Sequence, residues 1–264
     1  MAHKKNLKVS SDSTVSLSSD ENDYSTNGNI FYGEVLQKKY MLIKKIGYGS
    51  CSSVWLSYNI DNQKFFAVKI QNSEDYEEGK FEVEYLRDIK QYGCQSIANI
   101  LEDFKIIIGK HKYVCMVFEL MACTVYDIIR EGKYRHGLPV NVVKKIMRQL
   151  FKAIKVIHNE TNAIHKDLKP ENLLIAGYKP KVKELMDKIE QFNAPSRFKD
   201  ARLKAYKEHG YSMGNNTHRQ KFNQKLKHKV LKQINQELLQ FIGEYDDEND
   251  DNENDDNEND DNEN

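Results

Sequence analysis

Eight consecutive residues, "HKDLKPEN" at 165–172, hold a His, an Asp, two Lys, a Glu and an Asn around one Pro. A structural loop needs no such density of ionisable groups. A site that moves a charged phosphoryl group does, because that chemistry rests on positioning and charge neutralisation. Asp167 can accept a proton from an attacking hydroxyl or orient it. Lys169 can neutralise the transferring phosphate, and Asn172 can offer an oxygen to Mg²⁺. Pro170 stiffens the loop between them. His165 is expected to pack as a structural residue rather than to act as a base.

Two further stretches supply parts of the same chemistry. "GYGSCSSV", Gly47 to Val54, lies between two predicted strands. Glycines there let backbone N–H groups approach a phosphate with no Cβ in the way. Alone this signal is weak, since a glycine-containing hairpin turn is commoner. Fifteen residues after Val54 stands Lys69, in "FAVK". An ammonium among apolar neighbours on a strand is costly unless it is paired. Glu82 on the following helix is the best-placed partner, with Glu78 and Glu84 as alternatives.

The elements that must position these groups can be read from periodicity. "YMLIKKIGYGS" and "SSVWLSYNI" form a hairpin, and "KFFAVKIQN" is a third strand. "DYEEGKFEVEYLRDIKQY" is a helix with acids in its first turn and Phe81, Tyr85, Leu86 and Ile89 as its apolar face. "ILEDFKIII" and "KYVCMVFEL" are two more strands, joined at Gly109. A short helix is predicted near 124–131. Val140, Val143, Met147, Leu150, Ile154 and Ile157 then mark a long amphipathic helix, opened by Pro139. A small sheet lobe followed by a helical lobe is expected, an α+β architecture.

The chain has 264 residues, 39% hydrophobic and 30% charged, with a formal net charge of +0. That neutrality conceals an asymmetry. Thirteen of the 40 acids lie from Glu244 onward, where there is no Lys or Arg, so the rest carries 40 basic against 27 acidic residues. Residues 1–32, rich in Ser, Asp and Asn, are expected to be disordered, with Ser16, Ser18 and Ser19 ahead of acids. Residues 33–175 form the folded unit. Residues 176–243 hold fifteen basic and six acidic side chains. They are expected to be a solvated helical insertion without a core of its own, with a basic surface open to anionic partners. Residues 244–264, ending in three copies of "DDNEN", are low-complexity and expected to be disordered. Four cysteines without metal-like spacing, no membrane-length apolar run and no signal-like N-terminus lead to the expectation of a soluble intracellular protein.

Taken together, residues 33–175 resemble a eukaryotic-type protein kinase, in order: glycine-rich loop, strand Lys, helix Glu, hinge and catalytic loop. More narrowly they resemble the SR-protein kinases, through "GYGSCSSVWL", "EDFKI", "VCMVFEL", "GLP" at 137–139, "RQL" at 148–150 and "HKDLKPENLL". The resemblance implies a protein-kinase-like fold: a complete small lobe at about 33–118, a hinge at Glu119 to Met121, and the start of a large lobe at 122–175. It implies ATP and Mg²⁺ as cofactors. The ATP site would comprise Ile46, Gly47, Tyr48, Gly49, Ser50, Cys51, Ser52, Ser53 and Val54, with Ala67, Lys69, Glu82, Phe118, Glu119 and Met121. Within it Lys69 contacts the α- and β-phosphates, Glu82 pairs with Lys69, and Phe118 guards the pocket behind adenine. Asp167 is the catalytic base, with Lys169 beside it, and Asn172 is a Mg²⁺ ligand. The substrate would be protein Ser or Thr, in Arg/Ser-rich sequence. Residues 176–264 look like the start of the charged spacer that splits the domain in that family.

Three positions depart from the pattern. Ser52 stands at the third loop glycine, as in the SR-protein kinases. Lys166 replaces the Arg that commonly precedes the catalytic Asp, which weakens control by a phosphorylated loop. After Asn172 there is no Asp-Phe-Gly triplet and no Ala-Pro-Glu-like segment; the one "DF", Asp103-Phe104, lies upstream. Three readings are therefore carried forward: a serine/threonine kinase, a non-catalytic nucleotide- or partner-binding pseudokinase, and a kinase fragment cut before that triplet. The helix at 139–159 is expected to expose apolar surface.

Overall fold

The computed structural model describes residues 31–130, 134, 136–208 and 217–243, with backbone alone for 217–221. The expectations for the Ser-rich N-terminus and the acidic repeat fall almost wholly outside these residues.

Six strands form one antiparallel sheet in the order β1-β2-β3-β4-β6-β5. They are β1 (Val35–Leu36), β2 (Tyr40–Tyr48), β3 (Ser52–Asn59), β4 (Lys64–Gln71), β5 (Glu102–Ile108) and β6 (His111–Glu119). Five of them are the strands read from the sequence; β1 is too short to leave a pattern. One face of the sheet buries Leu36, Tyr40, Leu42, Trp55, Val68, Ile106, Cys115 and Val117 in a single cluster. Tyr40 stacks on Phe104 with ring centroids 6.0 Å apart.

Helix α1 (Tyr76–Lys90) packs Val83 against Val114, Met116 and Ile100, with Leu86 partly buried beside them. Its inward face therefore differs from the expected one: Phe81 and Tyr85 point to solvent. The close approach depends on Gly79, where a Cβ would lie 3.0 Å from the Gln71 side chain and 3.1 Å from that of Val114. Val83 then faces the sheet with Glu82 beside it, and Phe81 and Tyr85, each two residues from Val83 and so about 160° round the helix from it, point away.

After β6 the chain runs through β7 (Met121–Thr124) into α2 (Val125–Arg130), then α3 (Val140–Thr161). Thr124 and Asp127 cap α2 reciprocally: Asp127 N–H donates to Thr124 Oγ1 at 3.0 Å, and Thr124 N–H donates to Asp127 Oδ2 at 2.8 Å. β7 pairs with β8 (Leu174–Ala176) in a separate two-stranded ribbon. Of α3 only Ala153 and Ile157 are buried, whereas Val140 and Phe151 are 69% and 61% exposed. The apolar face expected to lack cover does lack it among the described residues.

The largest correction concerns residues 176–243. They form α4 (Pro180–Phe192), α5 (Ala194–Glu208) and α6 (Thr217–Ile242), helices as expected, but not a solvated insertion. Leu185, Ile189 and Phe192 of α4 and Leu226, Val230, Leu231, Ile234 and Leu238 of α6 are buried in one cluster with Val35, Met41, Ile43, Leu56, Tyr58 and Ala67. The helices thus cover the second face of the sheet. Polar ties fix α6 in place: Lys232 Nζ to Glu34 at 2.7 Å, and the buried Asn235 amide donating to the Leu42 carbonyl at 3.3 Å. The physical reason is two-sided burial. β2 and β3 carry apolar residues at both odd and even positions, so each face needs a cover.

Candidate active site

Strand register assembles the first half of the site. Gly47 pairs with Val54, Val54 with Lys69, and Lys69 with Met116, in one row across β2, β3, β4 and β6. Two residues along, Leu56, Ala67 and Phe118 form the next row. Directly opposed residues share a face, and so do residues two apart. Val54, Ala67, Lys69 and Phe118 therefore lie on one face, the face that α4 and α6 cover, with Ala67 inside that cluster and Val54 and Phe118 packed against it.

Lys69 Nζ donates to both carboxylate oxygens of Glu82, at 2.6 and 2.7 Å. Of the three candidate partners the structure selects Glu82. The pair is partly buried, with side chains 25% and 33% exposed, so it is less screened than a surface pair. Bonds outside the pair hold α1 in this position. Arg87 binds Asp103 on β5 through Nε and Nη2 at 2.9 and 2.8 Å, and Lys90 Nζ reaches the Ile100 carbonyl at 2.6 Å. Sequence reasoning missed these buttresses, because nothing in local spacing pairs residues on different elements.

The loop Gly47–Val54 closes through Gly49 N–H donating to the Ser52 carbonyl at 2.9 Å. Asn72 ties its tip to β4: the backbone N–H donates to the Cys51 carbonyl at 2.8 Å, and the side-chain amide to the Ser50 carbonyl at 2.9 Å. A Cβ on Gly49 would meet nothing within 4 Å, and its φ is not in the left-handed region. Among the described residues no contact demands glycine there; close approach of a ligand would. Ile46 and Tyr48 are exposed, as is Glu119, while Met121 is half-buried.

The second half sits on the loop between α3 and β8. The β7–β8 ladder, with Thr124 opposite Leu174, and the Val125 N–H donating to the Leu173 carbonyl at 2.8 Å anchor its far end. A short 3-10 turn spans Pro170–Asn172. Asn172 Nδ2 donates to Asp167 Oδ2 and to the Asp167 carbonyl, both at 2.8 Å. Lys169 Nζ lies 3.2 Å from Asp167 Oδ1. Lys169, and next Asn172, hold the Asp167 carboxyl below the usual carboxylate range, so it is ionised at neutral pH. Lys166 takes φ +65°, a left-handed conformation costing roughly 1–2 kcal/mol for a side-chain-bearing residue. Strain of this kind concentrates at functional sites. His165 is exposed, contrary to the packed role expected; its Nδ1 accepts the Asp167 N–H at 3.3 Å.

The donors fit the two implied cofactors unequally. For a nucleoside triphosphate the chain offers an open glycine backbone and a paired lysine, while the apolar strip of Val54, Ala67 and Phe118 is shared with the cluster that α4 and α6 complete, so a base seated there must displace part of that packing. For Mg²⁺ it offers the Asn172 amide oxygen and the Asp167 carboxylate. Among the described residues no three His, Cys, Asp or Glu side chains converge. Mg²⁺ demands near-octahedral oxygen ligation. The chain's own donors therefore do not make a Mg²⁺ site by themselves.

Comparison with known proteins agrees with this geometry. A family model described as "Protein kinase domain" matches residues 40–194. A protein of Acanthamoeba polyphaga mimivirus that carries a serine/threonine-protein kinase name is 40% identical over 160 residues, 59% of this chain and 30% of the relative. Serine/threonine-protein kinase spk-1 of Caenorhabditis elegans is 32% identical over 173 residues, covering 62% of this chain and 17% of its own length. SRSF protein kinase 3 of Homo sapiens is 31% identical over 165 residues, 59% of this chain and 29% of that protein. The chain thus matches less than a third of each relative's length. No helix among the described residues is long and apolar enough to cross a membrane.

Proposed function

The chain belongs to the protein kinase family, and on that premise we propose that it transfers the γ-phosphate of ATP to a serine or threonine hydroxyl of a protein. The observation that carries this reading is the conjunction of two ion-paired lysines. Lys69 is presented by Glu82 on the sheet face beside the glycine loop, and Lys169 by Asp167 on the loop after α3. Lys69 holds the α- and β-phosphates, released from none of its bonds to Glu82 that keep it aimed. Val54, Ala67 and Phe118 flank the base. Asp167 takes the hydroxyl proton as the oxygen attacks the γ-phosphorus and the bond to the β-phosphate oxygen breaks. Lys169 offsets the charge on the moving group. Magnesium, which accompanies ATP in the family, would need oxygen ligands beyond Asn172 and Asp167, since these two do not make a site by themselves.

The substrate class proposed is Arg/Ser-rich protein. It rests on the likeness to SRSF protein kinase 3 and spk-1 and on no contact in this structure. Among the basic stretches, residues 176–243 are proposed to meet anionic partners through α5, where Lys199, Lys204 and Lys207 are exposed.

A second reading is favoured by two specific observations. Residues 173–264 contain no Asp-Phe-Gly, and the Asp167 cluster lies open to water, with Asp167 61% exposed. A transition state reached in water gains far less from fixed charges than one in an enclosed site. Under this reading the chain binds nucleotide without transferring phosphate. Incubation with labelled ATP and either an Arg/Ser-rich or a Lys/Ser-rich peptide separates the two. Label on the Arg/Ser peptide supports the kinase and its substrate class. Nucleotide binding without label on either peptide supports the second reading.

A further inference from the structure

Helix α3 carries Lys144, Lys145, Arg148, Lys152 and Lys155, and no acid from Val140 to Asn159. All five side chains are exposed. Lys144, Arg148, Lys152 and Lys155 follow one another at steps of four, four and three, so they line one face. Among the described residues, none of the five takes part in a hydrogen bond or an ion pair. Like charges at such steps destabilise a helix, so the stripe does not help α3 to form.

The other basic elements are different. On α4, Lys183 pairs with Asp187 at 3.5 Å and Lys188 with Glu184 at 3.7 Å. On α6, Lys227 pairs with Asp61 at 3.5 Å and Lys232 with Glu34 at 2.7 Å. Arg197 and Arg202 of α5 lie over the rings of Phe192 and Tyr206. Among the described residues, Lys199, Lys204 and Lys207 of α5 and Lys225 and Lys229 of α6 are exposed without an ion pair as well, but acids share those helices, Asp200 and Glu208 on α5 and Glu237 on α6. On α3 five basic residues stand together with no acid before Glu160.

The sequence contains one segment of matching charge. Residues 246–264 have twelve acids and no Lys, Arg or apolar residue. We propose that this acidic tail binds the α3 stripe of its own chain. The dimensions agree. From Lys144 to Lys155 a helix rises about 16 Å, and one extended five-residue repeat spans about 17 Å. Each "DDNEN" repeat brings three acids to that length. The tail starts just past Gly243, at the end of α6, and a stretch of that length reaches up to about 70 Å when extended. Tethering supplies the tail at an effective concentration no free anion matches in dilute solution. Its occupancy would deny the stripe to other polyanions. The stripe leads directly into the Asp167 loop, but the proposal does not depend on phosphoryl transfer.

The test uses the full chain and a fluorescein-labelled poly-glutamate peptide as long as the tail. One variant has every Asp and Glu of 246–264 replaced by Asn or Gln. A second carries Lys144→Gln, Arg148→Gln, Lys152→Gln and Lys155→Gln, all on an exposed face. A third carries Lys199→Gln, Lys204→Gln and Lys207→Gln on α5. Thermal melts establish that each is folded. At low salt the neutral-tail protein is expected to bind the probe about tenfold or more tightly than the natural chain, as several surface pairs together allow. That gain should vanish when the α3 substitutions are added, survive the α5 substitutions, and disappear near 1 M salt, where charges are screened within about 3 Å. Equal binding by the natural and neutral-tail proteins would overturn the proposal. So would a gain that survives the α3 substitutions. If sedimentation shows the natural chain to be a dimer that the neutral-tail variant is not, the occupant is a second copy's tail and binding within one chain is refuted.

Discussion

Lys69 Nζ on strand β4 lies 2.6 and 2.7 Å from the two carboxylate oxygens of Glu82 on helix α1. The ammonium is thereby fixed on the sheet face beside the glycine loop. Replacing Glu82 by Gln removes the charge but keeps the shape. Nucleotide affinity should fall about 10- to 100-fold, as expected for loss of a charge-assisted bond worth about 1.5–3 kcal/mol. Lys69→Met should reduce it at least as much. Titration with a fluorescent ATP analogue reads both. Affinity unchanged in both variants would mean that the pair is structural alone.

Arg87 and Asp103 hold the same helix from its far side through two bonds. Arg87→Lys keeps charge and loses the planar fork. It should weaken nucleotide binding less than Glu82→Gln, and Asp103→Ala more than Arg87→Lys. The same titration measures the order, and nucleotide affinities equal to the natural chain's would show that α1 needs no buttress.

Much of this was legible in sequence for a definite reason. The glycine loop, Lys69, Glu82 and the 165–172 loop are local signals, each set by residue type at short spacing. Five of the six sheet strands and α1 to α3 follow from periodicity. What was not legible depends on contacts between distant segments. The α6 residues Leu226, Val230, Ile234 and Leu238 recur every four positions, a stripe that requires a partner. The apolar runs "YMLI" and "WLSYNI" show that the sheet needs cover on both faces. Neither pattern says that each is the other's cover. His165, expected to pack, is exposed because the whole loop lies outside the core, a placement that depends on distant segments and not on the loop's own residues.

Helix α6 is therefore part of the folded core and not an appendage. Leu231 is fully buried between α6 and the sheet. Leu231→Ala should cost about 2–5 kcal/mol, read as a lower midpoint in urea with an unchanged slope. A separate early transition, with the sheet melting later as in the natural chain, would show that the helices fold apart from it.

His228 of α6 adds a pH dependence to that docking. Burial lowers its pKa, with Lys232 and Lys38 acting the same way and Glu34 opposing them. The folded state thus favours the neutral ring. Its contribution is complete above the unfolded value of about 6.5 and is lost as pH falls through that value toward the lowered folded one. The melting temperature should drop between about pH 7 and 5 by more in the natural chain than in His228→Gln. Parallel curves for the two would remove His228 from the account.

Asp167 is the group on which the proposed chemistry turns, and its carboxyl is held below the ordinary range by Lys169 and Asn172. The most direct measurement is the single-turnover rate of label transfer from ATP to an Arg/Ser-rich peptide, in the natural chain and in Asp167→Asn, followed down to about pH 5. The account predicts transfer by the natural chain, with no loss from Asp167 protonation in that range. It predicts a rate lower by about 10²–10⁴ in Asp167→Asn. Equal rates in the two proteins, or no transfer by the natural chain while it binds nucleotide, would contradict the assignment of Asp167 as the base.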